Sequence, residues 1–166
     1  MKIQIIPLEK IVIDGKDICL GMTRSEVITL LGDGEFTHRH YYYNSELAID
    51  YDEEDKVEFI EFLGGIDGKL QPIIYGKYAF KTLADDIIGI LTKENGNEID
   101  DYENGCSYTF PNISVGIYRP TTPKGIEKDI EEMKSDGEYN AEYAEEVMRK
   151  ASHWATIGIG VKDYYM

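Results

Sequence analysis

The sequence predicts an α+β protein. It reads as one antiparallel β-sheet built from two tandem helix-plus-meander units, with helices packed on one face and a helical hairpin inserted in the second unit. Three observations carry this. The segment GMTRSEVITLLG, residues 21–32, is marked as a helix at both ends. Alternating apolar segments follow it, as a sheet with one covered face requires. An offset of 59 residues then lays Thr23 on Thr82, Glu26 on Asp85, Ile28 on Ile87 and Leu31 on Ile90, as an internal repeat would. The expected units are 15–68 and 75–166, with the insertion at 119–153, all within one domain, 1–166.

Ile3, Ile5, Ile11 and Ile13 alternate around a break at 7–10, which predicts an N-terminal strand or short hairpin. Thr23 is a suitable N-cap, and Glu26 three residues on completes a capping box. Val27, Ile28, Leu30 and Leu31 give the helix an apolar face. Gly32 can take the left-handed conformation that stops it. A strand is expected over 36–43, a turn at Asn44-Ser45, a strand over 46–51, a turn over 52–55 and a strand over 56–63.

The second unit opens at Thr82, with Asp85 in the capping-box position. Leu83, Ile87, Ile88 and Leu91 form the apolar face, and Asn95-Gly96 the stop. Residues 106–110 and 113–118 read as a hairpin around Pro111-Asn112, and 154–161 as the final strand. Between them, Ile126, Ile130 and Met133 mark one helix. Tyr143, Val147, Met148 and Ala151 mark another, with Glu145–Arg149 and Glu146–Lys150 spaced for ion pairing.

Composition narrows the partners. Among 166 residues, 32 are acidic and 17 basic, a net charge of −15. Phosphate contacts need Lys and Arg, so neither nucleic acid nor an anionic membrane is expected as a partner. A cationic partner is, since long-range attraction raises association rates. Apolar runs are too short to span a bilayer. The N-terminal segment is broken by Gln4, Pro7, Glu9 and Lys10 and reads as a strand, so a cytoplasmic protein is expected. Cys19 and Cys106 are expected as free thiols.

No catalytic, cofactor or metal site is expected, and so no enzyme. Residues 21–34 lack the Gly-Lys-Ser/Thr ending of a phosphate loop, and Gly21 and Gly32 flank the helix where a dinucleotide fingerprint would precede it. The acidic run 50–55 has Asp55 where a calcium loop needs glycine. His38 and His40 alternate and should share a strand face, but no third ligand is recognisable.

The sheet itself is the candidate site. Ile113, Val115, Ile117, Ile157, Ile159 and Val161 should pack on helices. Ser114, Gly116, Tyr118, Thr156, Gly158 and Gly160 would leave the other face open. Strand glycines mark close approach of another backbone or ligand. Tyr41, Tyr43, Tyr118 and Trp154 are the expected anchors, and Asp50, Asp52 and Glu53 the residues that steer and pair with partner Lys or Arg.

GMTRSEVITLLG resembles the G-M-T-x-x-E-V-x-x-L-L-G signature that opens repeats in proteins similar to the β-lactamase inhibitor protein and the SmpA/OmlA lipoproteins. The resemblance implies a binding scaffold with an open sheet, used twice in tandem. The copy at Thr82 and Asp85 lacks the preceding Gly-Met. A small acidic protein of this type is also similar to the immunity proteins of bacterial polymorphic toxin systems. The expected function is stoichiometric neutralisation of a cationic toxin. A non-catalytic scaffold or envelope-assembly relative is the alternative, and a hydrolase or metal enzyme the third reading.

Overall fold

Thr23 caps its helix as its position requires: the Glu26 amide donates to Thr23 Oγ1 at 3.2 Å. The helix, α1 (Arg24–Leu31), ends at Gly32, whose φ of 85° suits a residue without a Cβ. The computed structural model describes residues 1–101 and 103–166. Before α1 come β1 (Gln4–Ile6), β2 (Lys10–Ile13) and β3 (Lys16–Cys19). After it come β4 (Glu35–Phe36), β5 (His40–Tyr42), β6 (Leu47–Tyr51) and β7 (Val57–Phe62). The second half opens with β8 (Ile73–Ile74), β9 (Lys77–Tyr78) and α2 (Ala84–Glu94). There follow β10 (Asp100–Asp101), β11 (Ser107–Phe110), β12 (Val115–Tyr118), α3 (Pro123–Ser135), α4 (Ala141–Ala151) and β13 (Thr156–Gly160).

The strands form two sheets where the sequence pattern suggested one. An eight-stranded sheet runs β10-β11-β12-β13-β7-β6-β5-β4, and a five-stranded sheet runs β3-β2-β1-β8-β9. In the large sheet, the four strands after α1 and the four after α2 meet through their last members, β7 and β13. The helical hairpin α3–α4 lies between β12 and β13, where an insertion was expected. The small sheet joins the halves by parallel pairing of Gln4 with Ile73 and Ile5 with Ile74.

Register decides which face is core. Leu47, Phe62, Ile157 and Ile117 oppose one another across β6, β7, β13 and β12, and Ile49, Ile60, Ile159 and Val115 form the next row. All eight are buried. They share one cluster with Ile3, Ile5, Ile11, Ile13 and Ile18 of the small sheet, Val27 of α1, and Ile87 and Leu91 of α2. The covering layer is therefore the small sheet plus two helices, not helices alone. Each such aliphatic side chain contributes about 1.5–3 kcal/mol on burial.

Local expectations failed where a distant group took over a role. Thr82 does not cap α2; the N-cap is Leu83, with no side-chain cap. The Ala84 amide instead donates to Ser152 O at 2.9 Å, at the end of α4. The expected strand 36–43 is two short strands, because 37–39 form the turn that sets Phe36 opposite His40. Ile113 and Ser114 belong to the turn before β12, where Ser114 has φ 53°. Arg149 pairs with Glu146 and Asp67; Lys150 approaches Glu146, as the spacing predicts.

Two buried polar side chains hold this arrangement. Asn95 ends α2, and its Oδ1 accepts from the amides of Asn112 at 2.7 Å and Ile113 at 3.2 Å. Arg119 follows β12 and donates to Gly105 O at 3.0 Å and Ala151 O at 2.9 Å, so one guanidinium ties β11's approach to the end of α4.

Candidate protein-binding surface

The face opposite the core carries the row Ala48, Glu61, Gly158 and Gly116. The glycines are not an open floor. A methyl group at Gly158 would overlap the Phe59 ring, and one at Gly116 would overlap Tyr165. At Gly160 it would lie 2.6 Å from Tyr164. The close approach that strand glycines signal is made by the chain's own aromatic rings. Phe59 and Tyr164 stack with centroids 4.7 Å apart and planes 6° from parallel. Tyr165 meets Tyr164 edge-on at 5.1 Å.

Arg39 lies beside this aromatic layer. Its Nε and Nη2 donate to Asp50 at 2.9 and 2.7 Å, and its Nη1 donates to Glu61 at 2.7 Å. Burial opposes the Arg39 charge, but the bonds to Asp50 and Glu61 outweigh it and hold the guanidinium above its ordinary range. Burial also raises the Tyr164 hydroxyl, and the charges of Asp50 and Glu58 add to it. One guanidinium therefore serves both Asp50 and Glu61.

The predicted contact residues separate on this surface. Tyr41 is half-buried on β5, with its hydroxyl 2.9 Å from His38 Nε2. Tyr43 sits in a left-handed turn with Asn44 and Ser45 and packs against the core. Asp50 is engaged by Arg39. Asp52 Oδ1 accepts from the Glu54 amide at 2.8 Å and the Lys56 amide at 3.0 Å, so it builds the β6–β7 turn. Glu53 is exposed beside it and makes no ion pair among the described residues. Tyr118 is 41% exposed, but β13 and β7 lie between its strand and β6.

Trp154 corrects the expectation outright. It is 1% exposed, and its indole N–H donates to Ala84 O at 3.1 Å. Arg119 covers its ring at 4.7 Å, and Tyr108 meets it edge-on. It is a core residue and cannot anchor a partner. Phe59, Tyr164, Arg39 and Glu61 were not singled out from sequence. The one signal for them was the Gly116, Gly158, Gly160 series, which marks the space the rings fill.

His38 and His40 do not share a site. His38 faces Tyr41, whereas His40 Nε2 lies 2.9 Å from Arg24 Nη1. Arg24 also donates to Asp55 at 2.6 Å and lies over Tyr51 at 4.7 Å. Only a neutral His40 ring can accept from a guanidinium. Burial and then the Arg24 charge hold His40 below its ordinary pKa of 6.5, against the opposing pull of Asp50 and Asp55. The folded state thus resists a proton that the unfolded chain accepts. Stability from this contact is complete above the ordinary value and is lost as pH falls below it. We expect thermal midpoints of wild type to fall more between about pH 7.5 and pH 5.5 than those of His40→Gln, which cannot titrate. Parallel curves would remove His40 from the acid response.

Other features carry no chemistry of this kind. A cleft of about 310 Å³ is lined by Leu63, Ile66, Asp67, Pro120, Lys150 and Ala151 among others. Gln71 pins the glycine loop beside it, donating to Gly68 O at 2.7 Å. Among the described residues, no three His, Cys, Asp or Glu side chains are grouped to hold a metal ion. No helix among them is long and apolar enough to cross a membrane.

Comparison with known proteins adds no family. No family model, no curated protein and no solved structure matches the chain.

Proposed function

We propose that the protein acts by binding, as a stoichiometric inhibitor of a cationic protein in the cytoplasm, in the manner of a toxin-neutralising immunity protein. One observation carries the reading. In a chain of net charge −15, acid residues line both edges of the large sheet, Glu35 on β4 and Asp100–Asp101 on β10, and crowd the exposed turn 52–55. These charges flank the outer sheet face, where Tyr118 and Tyr164 are exposed and Asp50 and Glu61 are partly so. Such a field attracts a basic surface and repels acidic competitors. Acidic edge strands also deter strand-to-strand association between copies, which keeps the face available.

The test has two parts. Co-expression with neighbouring genes should yield one basic protein at 1:1, and adding the purified chain should abolish that protein's activity. A co-purifying protein that keeps its activity would defeat the inhibitor reading. Steering is then tested at the β6–β7 turn. Asp52 builds that turn, so the variant to use is Glu53→Lys/Glu54→Lys. Association should slow roughly tenfold at low salt, with the difference shrinking as salt screens it. Equal rates at low salt would sink the steering idea.

A further inference from the structure

Two carboxylates beside the Phe59–Tyr164 stack share one guanidinium. Arg39 bonds both Asp50 and Glu61, whose side chains are only 27% and 20% exposed. Glu58 stands on the same strand as Glu61, and its backbone carbonyl accepts from the Val161 amide at 2.9 Å, at the start of the chain leading to Tyr164. Partial burial strengthens the attraction of the Glu61 carboxylate for a further cation.

The surface next to these charges is rigid and aromatic. Phe59 is 7% exposed and backs Tyr164, which keeps 39% exposure and so can be reached from solvent. The glycine positions hold both rings against the sheet, so little side-chain entropy remains to be lost on binding. Arg39 shows which group suits the place: its guanidinium lies 6.0 Å from the Phe59 ring while bonding two carboxylates. A second planar cation would find the same combination on the exposed side. Lysine has no plane to stack and no fork to share between two acids.

We infer that the Phe59–Tyr164 platform is a subsite for an arginine side chain of a protein partner, its guanidinium lying on Tyr164 and donating to Glu61. This rests on the binding reading above and gives it an anchor outside the residues expected from sequence. Stacking on a fixed aromatic ring together with charge-assisted bonds is the combination found at interface hot spots.

The probe is the peptide acetyl-Gly-Arg-Gly-amide, titrated into the full chain at low salt and followed by the amide resonances of Gly158, Gly160 and Tyr164. The arginine peptide should shift these three together. The citrulline peptide, equal in shape but uncharged, should bind about tenfold more weakly or less, and the lysine peptide should fall between. Tyr164→Leu should weaken arginine binding severalfold. Glu61→Gln keeps an acceptor for Arg39 and should weaken it too, which guards against a folding defect in the first variant. Equal binding of citrulline, or shifts confined to the turn 52–55, would overturn the subsite. The two proposals fail separately. A basic protein captured 1:1 with unchanged affinity for Tyr164→Leu removes the subsite alone. Arginine binding with no inhibited partner removes the inhibitor reading alone.

Discussion

Trp154→Ala is expected to cost about 3–5 kcal/mol of folding stability, the range for removing a large buried aromatic. The indole is 1% exposed and sits where α2, β11 and the start of β13 converge. Its removal leaves a cavity and strips Ala84 O of its donor. The local structure is held by long-range contacts, so relaxation into the cavity would have to move α2 against the sheet. Trp154→Phe fills part of the space but loses the N–H, and should cost about 1–3 kcal/mol. Urea denaturation with unchanged slope checks both values. The same variants separate packing from recognition. If Trp154 contacted a partner, Trp154→Phe would change affinity with the fold intact. Affinity should instead be unchanged at temperatures where the variant is fully folded. A loss of tenfold or more under those conditions would return Trp154 to the interface.

The contrast between Trp154 and α1 shows what can be read locally. Thr23, Glu26 and Gly32 set both ends of α1 within ten residues, and the helix forms between them. Alternation in 46–51 and 56–63 likewise gave β6 and β7, because the pleat alone dictates that pattern. Trp154 was placed on a strand by the same logic, but β13 begins at Thr156. Its burial depends on Ala84 and Arg119, which no local period reveals. The division into two sheets was hidden for a similar reason. Ile3, Ile5, Ile11 and Ile13 alternate like any covered strand, and only the strand order, with β1 paired to β8, assigns them to a separate sheet.

The candidate surface was legible in kind but not in membership. Acid excess and strand glycines are visible in sequence, and both point to the outer face. Which aromatic groups occupy it depends on chain beyond the last strand. Tyr164 and Tyr165 follow a turn in which the Tyr164 amide donates to Val161 O, and that turn folds them back over Gly160 and Gly116. Arg39 was hidden because it falls inside the strand expected over 36–43, where local alternation names no partner for it. Only the register of β6 and β7 places Asp50 and Glu61 where one guanidinium spans both.

Arg119→Met is expected to cost about 2–4 kcal/mol, the second-largest effect of any single substitution considered. Arg119 is 5% exposed, and no carboxylate pairs with it among the described residues; its donors go to two backbone carbonyls and its plane to the Trp154 ring. Methionine retains the apolar stem but leaves Gly105 O and Ala151 O without donors. The buried Ala151 O left unpaired costs about 1–3 kcal/mol, the part-buried Gly105 O adds less, and the lost cation–π contact adds about 0.5–1. Arg119→Lys keeps the charge without a fork to serve both carbonyls, and should recover only part of the loss. Combining Arg119→Met with Trp154→Phe should give a coupling of about 0.5–2 kcal/mol, because each residue is the other's wall. Additive costs would show that the stacking contributes nothing. The partners of Arg119 are two backbone carbonyls and an indole ring, none of which titrates, so the Arg119→Met loss should be the same at about pH 8 and about pH 5.5. That distinguishes it from the His40 contact, which acid removes. A loss that grew with acid would place a titrating carboxylate near Arg119.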